Sequence, residues 1–346
     1  MHLKKEHNRK FIRLVLGVSS FSVFLLSVSS VFNYWDYQQT FVDVGQQLSE
    51  KVTKKDFSQK IQESIEQGEF NDTERYLQVA KKYNFDIDHH YFESEIEKKD
   101  KPLNNVITQS IDFVEGFVEG KGTNLASIAG SVVADFTVLG DARDLRSEYV
   151  HYQEGKPVDE LIVILSGAGI GLAVLTVSSL GAASPAKTGV STIKYAIKSK
   201  QLTKTFQKQI LTLSREIFDW SAFTRVLKQN TSVSSIRKAV KVAYHPKAIE
   251  PLKHVAGQVN NIRKLSSLSD SLFLLKYVDN TNDLLRLEKV VIKHGNETKV
   301  LFKLLGKSLI KTTKVLKKTT ELLLSISSSI ISGIFSLFLF ISRKLV

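Results

Sequence analysis

The sequence predicts an all-α integral membrane protein with about three transmembrane helices, a helical-hairpin outer domain and a basic helical inner domain. Three uncharged stretches of 22, 26 and 21 residues lie at 14–35, 161–186 and 322–342. About 20 apolar residues are enough for a helix to cross a hydrocarbon layer. Only a helix or a closed barrel satisfies the backbone there, and the strand alternation of a barrel is absent.

The charge of the chain changes sign along its length. The net charge is +13, yet residues 36–160 contain 14 Lys/Arg against 25 Asp/Glu, whereas residues 187–321 contain 27 against 9. This asymmetry predicts a membrane or nucleic-acid partner. The chain has no cysteine, which excludes a disulfide framework, a thiolate nucleophile and a cysteine-based zinc site.

Residues 1–13 form a basic head, and residues 14–35 follow as the first predicted span. A positive head before an apolar run is typical of a signal peptide or an uncleaved signal anchor. The run is long for a signal peptide and no clear A-x-A site follows it, which favours the anchor. Cleavage near Ser27-Val28-Ser29 is the alternative. Tyr34 and Trp35 suit an interfacial aromatic belt.

Residues 36–160 are predicted to form an acidic helical domain outside the cytoplasm. One helix is expected at 56–67, where Gly68 follows as a left-handed C-terminal residue. A second, capped by Asn71 or Asp72, extends to about residue 84. The pair resembles one helical hairpin of tetratricopeptide type. Because one copy cannot form a solenoid, local packing is favoured over peptide binding.

The next segment contains an acidic patch. After an amphipathic helix at 104–119, residues 123–139 are predicted to form an interfacial or re-entrant helix or a packing hairpin, and not a crossing, because Asp135 interrupts the apolar run. Asp141 and Asp144 complete the patch. Three carboxylates could bind a hard cation, but helix capping and pairing with nearby arginines are favoured.

Residues 161–186 are the central predicted span. Gly167 and Gly171 form a G-x-x-x-G pattern, which lets a second helix approach closely in lipid. They are the predicted helix-packing residues, and self-association through this span is one expected interaction. The alternative is a buried core helix of a soluble protein. The two other uncharged stretches of similar length favour the span.

Residues 187–321 are predicted to form a basic helical cytoplasmic domain, before the third span at 322–342 and a tail at 343–346. Within this domain, residues 299–318 are expected to form a basic amphipathic helix that contacts anionic lipid. A solvated helix over the domain core is an equal alternative. The predicted lipid-facing residues are Lys303, Lys307, Lys311, Lys314 and Lys318.

The excess of Lys/Arg next to each span predicts the orientation. All three spans agree on a cytoplasmic N-terminus, residues 36–160 outside, residues 187–321 inside and the C-terminus outside. The expected location is a bacterial inner (plasma) membrane.

Three short motifs follow one another along the chain. They are I-Q-E-S-I-E-Q-G-E-F at 61–70, D-F-T-V-L-G-D-A-R-D at 135–144 and A-Y-H-P-K-A at 243–248, with a Gly/Ala/Ser-rich stretch before the last. Their order resembles a family of uncharacterised bacterial integral membrane proteins of proteobacterial type, over most of 56–342. The resemblance implies no assigned activity and supplies no catalytic residues. The motif at 135–144 also resembles membrane-proximal regions of bacterial polymorphic toxins.

No catalytic constellation is visible in the sequence. It contains no G-x-x-x-x-G-K-[ST], H-E-x-x-H or G-x-S-x-G motif, so we predict no catalytic residues, cofactor or metal. The expected role is a non-enzymatic structural or interaction protein whose partners are membrane lipid or another protein. Nucleic acid is not expected, since the basic half lacks a recognition motif. A membrane-permeabilising, toxin-like effector is the alternative.

Overall fold

The computed structural model describes residues 2–41, 43–99, 138–175, 185–228 and 230–344. These residues are almost entirely helical, which confirms the predicted all-α class, and they include one two-stranded ladder. The chain divides into a terminal unit, Met1–Val42 with Lys311–Val346, and a helical unit, Asp43–Ile310. The predicted helices at 104–119 and 123–139, with Asp135, lie outside the described residues.

The terminal unit consists of two long helices and two short strands. Helix α1 (His2–Tyr34) pairs with helix α16 (Thr320–Lys344), and strand β1 (Tyr37–Phe41) pairs with strand β2 (Thr312–Leu316). The strands are antiparallel. The helices are antiparallel as well, because Ser20 hydrogen-bonds to Ser336 and Ser27 to Ser328.

Two segments of these helices are long and apolar enough to cross a membrane. They are Leu14–Tyr34 and Thr320–Ser342. Their large apolar side chains are exposed; Leu26 and Ile331, for example, are 69% and 68% exposed. The first and third predicted spans are therefore helices of the required length and composition.

The helical unit contains fourteen described helices around a shared apolar core. Its first half supplies α2 (Val44–Lys51), α3 (Lys54–Glu66), α4 (Phe70–Lys82), α5 (His89–Lys99), α6 (Val138–Gln153) and α7 (Glu160–Leu175). Its second half supplies α8 (Pro185–Lys198), α9 (Lys204–Ser214), α10 (Trp220–Leu227), α11 (Val233–Ala243), α12 (Glu250–Leu265), α13 (Leu268–Leu275), α14 (Thr281–His294) and α15 (Thr298–Leu305). Residues that the sequence assigns to separate outer and inner domains thus contribute to one core.

The predicted hairpin is present as α3 and α4. Thr53 and Asp56 form a reciprocal capping box at the start of α3, which satisfies two backbone N–H groups that would otherwise lack partners. Gly68 follows α3 with a φ of 71°, as its C-terminal position predicts. The start of α4 differs, because this helix begins at Phe70, and Asp72 is buried rather than capping.

A third span is not confirmed. Helix α7 ends at Leu175, and the next described helix begins at Pro185. The side chains of α7 are buried by other helices of the same unit; Leu165, Ala168 and Ile170 have no exposed surface. Helix α7 is thus a core helix of the helical unit, which is the alternative that its composition allowed.

Residues 299–318 do not form one continuous basic helix. Gly306, with a φ of 60°, ends α15 in a conformation that favours glycine. A 3₁₀ turn follows at Gly306–Ile310, and β2 comes next. The five lysines therefore do not share one helix face.

Candidate functional site

Charged side chains of α6 and α8 meet inside the helical unit. Asp141 and Asp144 lie one turn apart on α6. The three lysines of α8 are separated by seven and four residues, which places them on one helix face. We call these five residues the buried ion network; its lysines are Lys187, Lys194 and Lys198.

Lys194 is the centre of the buried ion network. Its Nζ lies 2.5 Å from a carboxylate oxygen of Asp141 and 2.7 Å from one of Asp144. Lys187 donates to the other oxygen of Asp141 at 2.5 Å, and Lys198 donates to Asp144 at 2.8 Å. The side chains of Asp141 and Lys194 are fully buried, whereas that of Lys198 is 30% exposed.

Opposing effects set the pKa values within this network. Burial raises the pKa of Asp144, but Lys194 and Lys198 outweigh it and hold the pKa below its ordinary value. Burial lowers the pKa of Lys194, but Asp141 and Asp144 outweigh it and raise the pKa. At Lys187 burial prevails, and the pKa is lowered. The carboxylate of Asp144 and the ammonium of Lys194 are therefore both charged near neutral pH.

The glycines of α7 lack a Cβ, and this allows Asp141 of the buried ion network and two aromatic rings to pack directly against the helix. A Cβ on Gly169 would collide with the carboxylate of Asp141. A Cβ on Gly167 would collide with the ring of Phe218, and one on Gly171 would lie 2.7 Å from the ring of Tyr244. The predicted helix-packing residues Gly167 and Gly171 thus contact aromatic side chains of this chain. Self-association through 161–186 stays a prediction.

A second ion cluster joins α4 to α13 and α15. The buried Asp72 lies 2.8 Å from Lys299 and 2.7 Å from Lys303. Arg75 bridges Asp72 and Asp270 at 3.2 and 2.8 Å. Burial raises the pKa of Asp72, but the two lysines outweigh it and lower the pKa. The cluster joins charged side chains of the acidic half to oppositely charged side chains of the basic half.

Two of the five predicted lipid-facing lysines are therefore in ion pairs. Lys303 also pairs with Glu69 at 2.5 Å, and Lys307 pairs with Asp279 and Asp283. Lys311 and Lys318 are exposed and belong to the terminal unit, as does Lys314 in β2. A contact of these lysines with lipid stays a prediction.

The two ion clusters consist of paired charges. Each described carboxylate of the acidic patch, Asp141 and Asp144, is held by lysines, which occupy the positions a cation would take. Within the described ranges no group of three or more His, Asp or Glu is arranged to hold a metal ion. These ion pairs join α6 to α8 and α4 to α15.

Fold and site together define a class: a helical protein with two apolar helices of membrane-crossing length and a helical unit that contains buried ion pairs. No family model, curated protein or solved structure matches this chain.

Proposed function

We propose that this chain is a non-enzymatic integral membrane protein, anchored by α1 and α16, whose helical unit contacts anionic lipid or a protein partner. The pairing of α1 with α16 is the observation that carries the proposal. The hydroxyls of Ser20 and Ser336 are 2.7 Å apart, and those of Ser27 and Ser328 are 2.8 Å apart. Serine hydrogen bonds of this kind join helices in lipid.

The outer surface of the pair supports the same proposal. Large apolar side chains of both helices are exposed, among them Phe32, Ile334 and Phe338 at 65% or more. Contiguous apolar surface of this kind is a liability in water and marks a protein or membrane contact. Lipid chains would cover it along the length of both helices.

Antiparallel pairing has a consequence for topology. The strands that follow α1 and precede α16 lie at the same end of the pair. With α7 inside the helical unit, the described residues of 43–310 would lie on one side of the membrane, and residues 1–13 and the C-terminal end of α16 on the other. The basic head at 1–13 favours a cytoplasmic N-terminus, here in a bacterial inner membrane. This two-crossing topology competes with the three-crossing one that the charges alone predict.

Single-cysteine labelling separates the two topologies cleanly, because the chain has no cysteine of its own. We expect Gln59→Cys and Ser221→Cys, both at exposed positions, to react in intact cells with a membrane-impermeant maleimide. A cysteine at Glu6 should react only after lysis. Labelling of residue 59 but not of residue 221 would establish three crossings instead. Labelling of residue 6 but of neither other position would indicate two crossings with the N-terminus outside the cytoplasm.

A membrane-permeabilising effector is the second candidate, and α7 is the observation that favours it. This helix is apolar and uncharged from residue 161 onward, and it is enclosed by more polar helices. If the helical unit opened, α7 would be available to lipid. Release of a trapped dye from vesicles by the full chain, at low protein-to-lipid ratio, tests this candidate. Intact vesicles carrying inserted protein would contradict it and favour the anchored interaction protein.

A further inference from the structure

One stretch of the helical unit carries only positive charge. Residues 220–249, which include α10 and α11, contain six Lys/Arg and no Asp or Glu. We call the exposed side of this stretch, formed by α10, α11 and the residues that follow each of them, the basic face. Its cations are Arg225, Lys228, Arg237, Lys238, Lys241 and Lys247, and all six are exposed.

The basic face follows from the amphipathic pattern of α11. Ile236, Ala239 and Val240 are buried at spacings of three and one and attach the helix to the core. Arg237 and Lys241, four residues apart, lie on the opposite side. Neighbours three and four residues apart on a helix share a face, so the cations of α11 reinforce one another's field.

The cations of the basic face have no acidic partner among the described residues, unlike Lys194, Lys303 and Lys307. The flanking acids are already engaged: Asp219 caps α10 by accepting from the Ala222 N–H, and Glu250 pairs with Lys253. A group of unpaired cations has a net attraction for an anionic surface, because binding does not first require breaking an ion pair.

A depression within the basic face has room for a phosphate-bearing headgroup. Its volume is about 580 Å³, and Lys228, Ser235 and Lys238 are among its lining residues. Two ammonium groups and a hydroxyl there can donate hydrogen bonds to phosphate oxygens.

Aliphatic side chains stand among these cations. Val226, Val233 and Val242 are 40%, 39% and 58% exposed. Exposed aliphatic residues beside Lys/Arg suit contact with a leaflet, because the cations reach the headgroups while the aliphatic groups meet the boundary of the acyl chains. Surfaces that bind single-stranded nucleic acid instead carry aromatic residues on which bases stack. The composition of this face therefore favours lipid over single-stranded nucleic acid, and duplex DNA is a competitor in the test below.

We propose that the basic face of α10 and α11 docks on the anionic phospholipid headgroups of the membrane in which the chain is anchored. The inference rests on the proposed function, because the anchor supplies the leaflet. The basic face is a second candidate lipid contact, beside the five lysines between residues 303 and 318.

The test uses the full chain reconstituted into vesicles of phosphatidylcholine, with or without phosphatidylglycerol. Acetic anhydride modifies accessible lysines, and mass spectrometry measures each site. We expect phosphatidylglycerol to lower the acetylation of Lys228, Lys238 and Lys241 about fivefold each. This is the factor by which the attraction of one Lys to an anionic leaflet favours the bound state. High salt should restore acetylation, because salt screens the attraction. Acetylation should be the same in both vesicle types at three exposed lysines elsewhere, Lys55, Lys264 and Lys293.

Two matched variants complete the test. Replacing Arg237, Lys238 and Lys241 with glutamine should abolish the protection of Lys228. The same triple replacement at Lys55, Lys264 and Lys293 should leave it intact. Equal acetylation in both vesicle types overturns the inference, as does protection by duplex DNA but not by vesicles.

Flotation of the same vesicles distinguishes failure of the inference from failure of the anchor. If wild-type protein floats with both vesicle compositions but its lysines are not protected from acetylation, the inference is wrong and the anchor stands. If the protein floats only with phosphatidylglycerol, and only when the three α11 cations are present, the result supports the inference and contradicts the proposed membrane anchor. If the protein floats with neither composition, the result contradicts both the inference and the anchor.

Discussion

The Lys194→Met variant should lose about 3–5 kcal/mol of unfolding free energy, because removing one member of a buried ion pair leaves its partner uncompensated. Lys194 is fully buried between Asp141 and Asp144. Methionine is similar in length and keeps most of the packing, so the loss reports mainly on charge. Urea unfolding of the full chain in mild detergent, followed by helical circular dichroism, measures it.

Lys198→Met is the matched control for this variant. Lys198 belongs to the same helix and pairs with the same Asp144, but its side chain is 30% exposed. An exposed pair contributes about 1 kcal/mol or less, so this variant should be nearly as stable as wild type. Equal losses in the two variants would show that burial of Lys194 adds nothing.

The Gly189→Ala variant should be destabilised by about 3 kcal/mol, at the upper end of what overpacking costs. Helix α8 packs against α12, and a Cβ on Gly189 would collide with the backbone carbonyl of Ala256. A backbone atom cannot move aside as a flexible side chain can, so the two helices must separate. Thermal unfolding of the full chain in the same detergent measures the loss.

Gly257→Ala has the opposite expected effect, at the residue that follows Ala256 on α12. A Cβ on Gly257 would meet no atom within 4 Å. Alanine in a helix interior is more favourable than glycine by about 0.5–1 kcal/mol, so this variant should be slightly stabilised. A loss at residue 257, or none at residue 189, would contradict the described packing of α8 on α12.

Local signals in the sequence predict much of the fold. The hairpin α3–α4 follows from apolar spacing and from Gly68, and the terminal helices follow from uninterrupted apolar runs. Each of these depends on residues close together in the chain. The structure confirms the all-α class and two of the three apolar helices as long enough to cross a membrane.

The central stretch could not be assigned in the same way. A helix buried by protein and a helix buried by lipid both require small and apolar residues, so the composition of α7 is compatible with either. What distinguishes them is the presence of partners far away in the sequence, such as Phe218 and Tyr244, which fill the space above Gly167 and Gly171. The pattern of residues within 161–186 therefore cannot predict that these two rings pack against the helix.

The buried ion network was detectable only in part. Asp141 and Asp144 attract attention as acids beside an apolar stretch. The three lysines of α8, at spacings of seven and four, were the signal that could have indicated their partners. A lysine in a basic stretch is ordinarily interpreted as solvated, so this spacing is easily missed. The basic amphipathic pattern of 299–318 likewise predicts a lipid-facing Lys303, although Lys303 pairs with Asp72 across more than two hundred residues of chain.

The ladder of β1 and β2 has a thermodynamic consequence for everything between the two strands. Phe41 is directly opposite Thr312, so the ladder closes a ring that contains all of residues 43–310. In the chain-entropy description, a closure of so large a ring that stays formed while the enclosed residues unfold removes roughly 5 kcal/mol of conformational freedom from their unfolded state. Cleavage of the chain before β1 or after β2 would leave that restraint in place. Separation of the two strands would release it and make the enclosed polypeptide easier to unfold.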